Sequence, residues 1–256
     1  QNNFNGNSNN VNNIFTNNYS VVNLYKKSSL KTKIITQMIY GESFKIINKS
    51  SKWIKIKIKN DGYIGYVKNK KFSSYLKPTH KVCTLSANIY RNSNFKNKIG
   101  KLSYASKIKV EKINSRFAKF QNKWIQIKNI KTINYKNKNI FKDIKIFKNV
   151  KYKWGGKTFN GIDCSALIQV CLNFNNRFCP RDTNQQINFF KKKTNLIHVK
   201  KNDIIYWKGH VALALSTNKL IHAYGPRKKT LIMDIKKTID LIKRTANLNV
   251  ISIKRI

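Results

Sequence analysis

Between residues 30 and 70 apolar and polar residues alternate in short bursts. Lys33–Met38, Phe44–Ile47 and Trp53–Ile58 each have the two-residue period of a strand exposed on one face. Asp61-Gly62 is a hairpin turn signal, and Tyr63-Ile64-Gly65-Tyr66-Val67 behind it reads as the return strand. Several short strands joined by polar turns predict a small β-barrel. Residues 82–135 repeat the plan. Tyr40-Gly41-Glu42-Ser43-Phe44-Lys45-Ile46 is similar to Tyr104-Ala105-Ser106-Lys107-Ile108-Lys109-Val110, and Lys52-Trp53-Ile54-Lys55-Ile56-Lys57 to Lys123-Trp124-Ile125-Gln126-Ile127-Lys128. The offsets, 64 and 71, differ, which predicts a longer loop near Asn114–Gln121 in the second copy. Coincidence in a Lys-, Ile- and Asn-rich chain is the alternative.

The pattern changes after residue 150. Ala166, Leu167, Val170, Cys171 and Phe174 follow a helical period that opens at Cys164. Ile204–Trp207, Gly209–Leu215 and Leu220–Tyr224 read as three adjacent antiparallel strands facing that helix. Residues 1–20, rich in Asn and Ser, read as a loosely docked lead-in with a helical tendency at Val11–Phe15. Pro78 marks a linker, and Ile140–Val150 a short helix. The expected division is a lead-in over 1–24, β-modules over 25–76 and 77–135, and a last domain over 136–256. The fold class is α+β.

The chain has 256 residues, and 53 Lys and Arg face 9 Asp and Glu for a formal charge of +44. Such a surface attracts polyanions. The basic residues are spread through every segment, however, and Lys, Asn and Ile share A/T-rich codons, so a compositional bias accounts for the charge. No helix-turn-helix, zinc-finger or RNP-like signature accompanies it, and no nucleic-acid partner is expected. An anionic cell wall or membrane surface is the remaining polyanion. No apolar run is long enough to cross a membrane, and a monomer is expected. Cys83, Cys164, Cys171 and Cys179 form neither a disulfide framework nor paired CxxC spacing. Free thiols favour a cytoplasmic setting, with a periplasmic or secreted one as the alternative if a signal was removed.

Candidate chemistry gathers around Asp163-Cys164-Ser165, which follows Tyr152-Lys153-Trp154-Gly155-Gly156. A cysteine opening a helix feels the unpaired N–H groups of the first turn, which lowers a thiol pKa and predicts a thiolate. His210 and His222, on neighbouring strands, can sit side by side, one as base and the other as its orienter. The bland readings are a buried core cysteine and ordinary histidines. A metal held by Cys164, His210 and His222 lacks a fourth ligand, so no metal and no cofactor is expected.

At these residues the chain resembles the NlpC/P60 family of cell-wall cysteine peptidases. The likeness runs through Tyr152–Gly156, Gly161–Leu167, Pro180–Gln186, Asp203–Trp207, Gly209–Val211 and Ile221–Ala223. The resemblance implies a papain-like catalytic domain, with the cysteine helix packed on an antiparallel sheet, behind two bacterial SH3-like β-barrels. It implies Cys164 as nucleophile, His210 as base and His222 as the orienting residue. Tyr152 would line the site and assist the oxyanion, and Trp154 would pack on substrate. Asp163, Ser165, Arg181, Asp182 and Thr183 would hold a stem peptide, with Glu42 of the first module and Asp163 binding a free L-Ala amine. The implied reaction is hydrolysis of the γ-D-glutamyl to diamino-acid bond of murein peptides in wall recycling. The alternatives are a secreted hydrolase of intact peptidoglycan and a non-catalytic SH3-like wall-binding protein. Ala166 departs from the family's usual Gly, and Thr183 from its usual Ser.

Overall fold

The computed structural model describes residues 13–256. It is an α+β structure of antiparallel sheets with three α-helices, α1 (Cys164–Phe174), α2 (Thr183–Phe189) and α3 (Ile235–Ala246). No described helix is long and apolar enough to cross a membrane. The first module is a seven-stranded sheet in the order Ile34–Ile39, Val21–Tyr25, Ile64–Lys68, Trp53–Ile58, Ser43–Lys49, Ile14–Thr16, Ser73–Ser74. Asp61-Gly62 makes the expected hairpin: Trp53–Ile58 pairs with Ile64–Lys68, and Gly62 takes φ +74°. Ile14–Thr16 is an integral strand paired with Ser43–Lys45, so the expected helix fails there. Its first residues, Val11 and Asn12, lie outside the described residues.

The expected barrels do not form. The two outer strands of the first sheet do not pair with each other. The outer strand Ile34–Ile39 lies beside the last domain, where the Lys157 N–H donates to the Gln37 side-chain Oε1 at 3.0 Å. The second module splits into two sheets, one of five strands and one of three. The split follows Lys98–Ser103, where Ala105 takes a left-handed φ of +66° and turns the chain away.

The two modules repeat, but not in the register read from sequence. Sheet orders match when Lys123–Gln126 takes the place of Ile64–Lys68, and Phe117–Phe120 the place of Trp53–Ile58. Half of the segment expected to be a longer loop, Phe117–Phe120, is therefore a strand, and the Trp124 likeness to Trp53 belongs to a different position. The Tyr40-Gly41 correspondence stands, because Gly41 and Ala105 both have left-handed backbone after the matching strand.

The last domain is a six-stranded antiparallel sheet in the order Lys193–Thr194, Ser252–Lys254, Ile204–Trp207, His210–Ala214, Lys219–Tyr224, Lys229–Asp234. The tail thus supplies an edge strand, α3 and an inner strand. Ten of the eleven residues of α1 are buried, Ser165 and Gln169 among them, so this helix has almost no solvent-exposed face. Leu167, Val170, Cys171 and Phe174 pack with Val211, Leu213, Ile221 and the module residues Ile39 and Tyr104 in one core. Ile140–Val150 holds one short 3-10 turn, Ile144–Phe147.

Tyr40-Gly41-Glu42 is a three-way joint. Tyr40 is buried in the core of the second module. The Gly41 N–H donates to Asn17 O at 2.8 Å and the Lys107 N–H to Tyr40 O at 2.9 Å. A Cβ at Gly41 would lie 1.9 Å from Lys107 O, and its φ is +82°. Only glycine fits both constraints. Glu42 reaches the last domain, where Lys157 Nζ donates to Oε1 at 2.7 Å, while Oε2 accepts the Ile39 N–H.

The scarce acids are nearly all engaged in this way. Asp61 accepts from Gln169, Glu111 from the Gln121 N–H, Asp143 from Tyr104 and Asn137, and Asp203 from Arg255. Asp234 caps α3, and Asp163 and Asp182 lie at the site below. Only exposed Asp240 makes no hydrogen bond among the described residues.

Candidate active site

Asp163 fixes the start of α1. Its Oδ1 accepts the Ala166 N–H at 2.8 Å, and its Oδ2 accepts the Gly155 N–H at 2.9 Å. Arg181 donates from Nη1 to Oδ1 at 3.0 Å and from Nη2 to Oδ2 at 2.6 Å. The same guanidinium donates to Ser165 Oγ and, from Nε, to Thr36 Oγ1 of the first module. Such a planar fork holds a carboxylate in one orientation. Asp163 is thus saturated, and Arg181, 1% exposed, is a strut that does not line the cleft.

Cys164 follows this cap on the wall of a cleft of about 470 Å³. The last domain contributes Tyr152, Trp154, Asp163, Ser165, Asp182, Thr183 and Trp207, and the first module contributes Ile35 and Tyr63. Trp154 stands at the rim, 64% exposed. A second cavity of about 450 Å³ shares Tyr152, Lys208 and Gly209 with the first and is lined by His210, Tyr224, Arg227 and residues of α3.

His210 opens its strand directly opposite Trp207. His222, fully buried, lies on the next strand, and its Nδ1 is 2.9 Å from His210 Nε2. Tyr224 stacks on His222 with centroids 4.7 Å apart and planes at 9°. The neighbourhood predicted for the two histidines is present.

The electrostatics differ from the expected thiolate. Burial pushes the Cys164 thiol up to about 11, and the adjacent Asp163 charge adds to that; the Val211 backbone, Thr183 and Arg181 pull the other way without prevailing. The Asp163 carboxylate occupies the helix N-terminus whose partial charge was to stabilise the thiolate. Burial lowers His210 to about 4, and burial followed by His210 lowers His222 to about 3. At neutral pH the resting set is a thiol and two uncharged imidazoles.

Glu42 is not brought to the cleft. It lines a separate cavity of about 10 Å³ with Lys107 and Lys157. Asp182 is the cleft-wall carboxylate that makes no ion pair among the described residues, although the Arg181 charge lies near it. Tyr63 Oη donates to its Oδ2 at 3.0 Å, and burial raises its pKa. Tyr63 and Ile35 were not singled out from sequence. Tyr63 directly follows Asp61-Gly62, where the hairpin explained its presence and nothing marked its reach across to Asp182.

The NlpC/P60 family matches residues 149–241, which hold the cysteine, both histidines and most of the cleft wall. The bacterial dipeptidyl-peptidase Sh3 domain matches residues 24–72, so the first module is similar to that domain, with an open sheet here. Dipeptidyl-peptidase 6 of Lysinibacillus sphaericus is 36% identical over 72 residues, which are 28% of this chain and 27% of that protein. The probable endopeptidase NlpC homolog of Haemophilus influenzae is 35% identical over 78 residues, 28% of this chain and 41% of that protein. The matches thus span well under half the length of these curated relatives. Among solved structures, an NlpC/P60 family protein from Bacillus cereus superposes with a TM-score of 0.82 at 17% identity, covering 94% of this chain and 99% of that one. An NlpC/P60 endopeptidase from Photobacterium damselae gives 0.66 at 13% identity, covering 94% and 70%. These two show a shared fold, modules included.

Proposed function

We propose that the chain is a cysteine endopeptidase that hydrolyses the γ-D-glutamyl to diamino-acid bond of murein stem peptides. The observation that carries the reading is Cys164 at the start of α1 on the cleft wall, with the bonded pair His210–His222 on the adjoining sheet and α1 packed against the His210 strand. The thiol proton passes to His210 as sulfur attacks the γ-carbonyl carbon. The Cys164 N–H, which has no acceptor within the helix, and Tyr152 face the developing oxyanion. The imidazolium then gives its proton to the leaving amine. Water, deprotonated by the same imidazole, hydrolyses the acyl-thioenzyme and restores the thiol.

The substrate end follows from the cleft wall. Ile35 and Tyr63 of the first module wall the cleft together with the last-domain residues, and this narrowing favours a short free peptide over a strand of intact wall. Asp182 is the acceptor for a free L-Ala ammonium, and Thr183 and Trp154 are further contacts. Asp163, Ser165 and Arg181 serve by holding Cys164. Wall recycling in the cytoplasm is the setting that fits such a peptide. Incubation with free L-Ala-γ-D-Glu-diaminopimelate and with intact murein tests this, using the wild type and Cys164→Ala. Cleavage of the free peptide alone, abolished in the variant, is expected. Cleavage of intact murein in preference would move the reading to a wall-remodelling hydrolase, and cleavage of neither would defeat it.

A further inference from the structure

His210 and His222 share one proton-bearing contact, His210 Nε2 to His222 Nδ1 at 2.9 Å. Each neutral ring carries a single N–H, so this contact has two possible senses. In one, His210 Nε2–H donates to His222 Nδ1, and His210 Nδ1 keeps a lone pair. In the other, His222 Nδ1–H donates to His210 Nε2, and the His210 proton sits on Nδ1. Only the first leaves His210 able to take a proton from a thiol, because Nδ1 is the sole nitrogen of His210 outside the pair.

The far side of His222 distinguishes the two. Its Nε2 lies 3.3 Å from Met233 Sδ and has no other hydrogen-bond partner among the described residues. A thioether has lone pairs and no proton, so it can accept and never donate. The second arrangement would press a bare Nε2 lone pair of the buried His222 ring against the sulfur, leaving that nitrogen without a donor. The first puts Nε2–H on the sulfur. Flipping the ring is no escape, because it would turn Cδ2 toward His210 Nε2 and Cε1 toward the sulfur and lose both contacts. The sheet register fixes the distance: His222 is opposite Leu231 and Leu220 opposite Met233, so Met233 is the diagonal neighbour of His222 on the same face. A leucine there would fill much the same space without offering an acceptor.

We propose that Met233 is a positioning residue whose thioether holds the His222 proton on Nε2 and so leaves His210 Nδ1 bare for the Cys164 proton. The role rests on the reading of Cys164 and His210 as the reacting pair. Met233 touches neither the thiol nor the cleft; it acts through two rings. On proton transfer the Cys164 S–H bond breaks and an Nδ1–H bond forms on His210. The resulting cation still donates from Nε2 to the lone pair of His222 Nδ1, so no proton on His222 has to move.

The experiment is imidazole nitrogen NMR on the full chain labelled with 15N-histidine at pH 7, alongside kinetics on L-Ala-γ-D-Glu-diaminopimelate. The wild type should show both rings as Nε2–H tautomers. Met233→Leu should raise the Nδ1–H fraction of both rings and lower kcat about two- to tenfold, the worth of one weak buried hydrogen bond, with KM unchanged. Met233→Gln, which returns an acceptor oxygen, should restore both readings. A wild-type His222 protonated on Nδ1 would overturn the proposal without any variant, as would a folded Met233→Leu with unchanged tautomers. The spectra are read independently of turnover. If Cys164→Ala leaves hydrolysis intact while the Nε2–H pair is observed, the peptidase reading fails and the tautomer assignment stands.

Discussion

Changing Glu42 to glutamine separates two roles for this residue, a contact with substrate or a brace between domains. Glu42 and Lys157 are 7% and 1% exposed and 2.7 Å apart. Glutamine can still accept the Ile39 N–H and can still face Lys157, but it leaves the lysine charge buried without a counterion. Removing one partner of such a pair costs about 3–5 kcal/mol. For a chain of this size each kcal/mol lowers Tm by about 2–4 °C, so Glu42→Gln should melt about 6–20 °C below the wild type. Adding Lys157→Met removes the stranded charge, and the double variant should recover most of that loss. The assay is thermal unfolding by circular dichroism, with kcat and KM on L-Ala-γ-D-Glu-diaminopimelate and on its N-acetylated form. The brace predicts lowered Tm in the single variant, recovery in the double, and equal KM changes for both peptides. An unchanged Tm with a tenfold rise in KM confined to the free-amine peptide would refute the reasoning and return Glu42 to the substrate.

Two further outcomes follow from the same geometry. Gly41→Ala places a methyl 1.9 Å from a backbone oxygen at φ +82°, so a loss of about 3 kcal/mol or more is expected in urea unfolding, and a loss below about 1 kcal/mol would show that the joint yields. Folded His210 and His222 hold fewer protons than the unfolded chain below their ordinary 6.5, so stability should fall as pH drops from about 6.5 towards about 4 and about 3. Cys164 has the opposite sense: folded, it keeps its proton above its ordinary 9.0, and stability should fall as pH rises towards about 11. Urea titrations from pH 4 to 10, with His222→Phe flattening the acid limb, check both.

Much of the last domain was legible because its elements carry local signals. The helix of Cys164 has an apolar period, its three central strands are short apolar runs bounded by turns, and the two histidines fall on adjacent strands. Three features were not legible, each because it depends on a distant segment. Barrel closure depends on whether edge strands meet, and Ile34–Ile39 and Ser73–Ser74 do not. Module register was misread from Trp53 and Trp124, because similar short strings recur in a chain of few residue types; sheet neighbours placed them correctly. The thiol's protonation depends on burial, which a helix-start position does not reveal. Glu42 is the sharpest case. It was expected to bind a substrate amine together with Asp163, and its charge is met instead by Lys157, a lysine that nothing in the sequence marked.

The engagement of the acids has a consequence for how the protein behaves as a polyelectrolyte. Three of the nine carboxylates are paired with cations among the described residues, and the rest are far too few to put an opposite charge beside most of the 53 Lys and Arg. Protonating all nine would carry the formal charge only from +44 to the +53 set by lysine and arginine. Acidification therefore cannot reverse or even much rescale the field around the molecule. Its attraction to anionic polymers responds to ionic strength, through a Debye length of about 8 Å at 0.15 M, and is almost indifferent to pH across the range in which the cleft works.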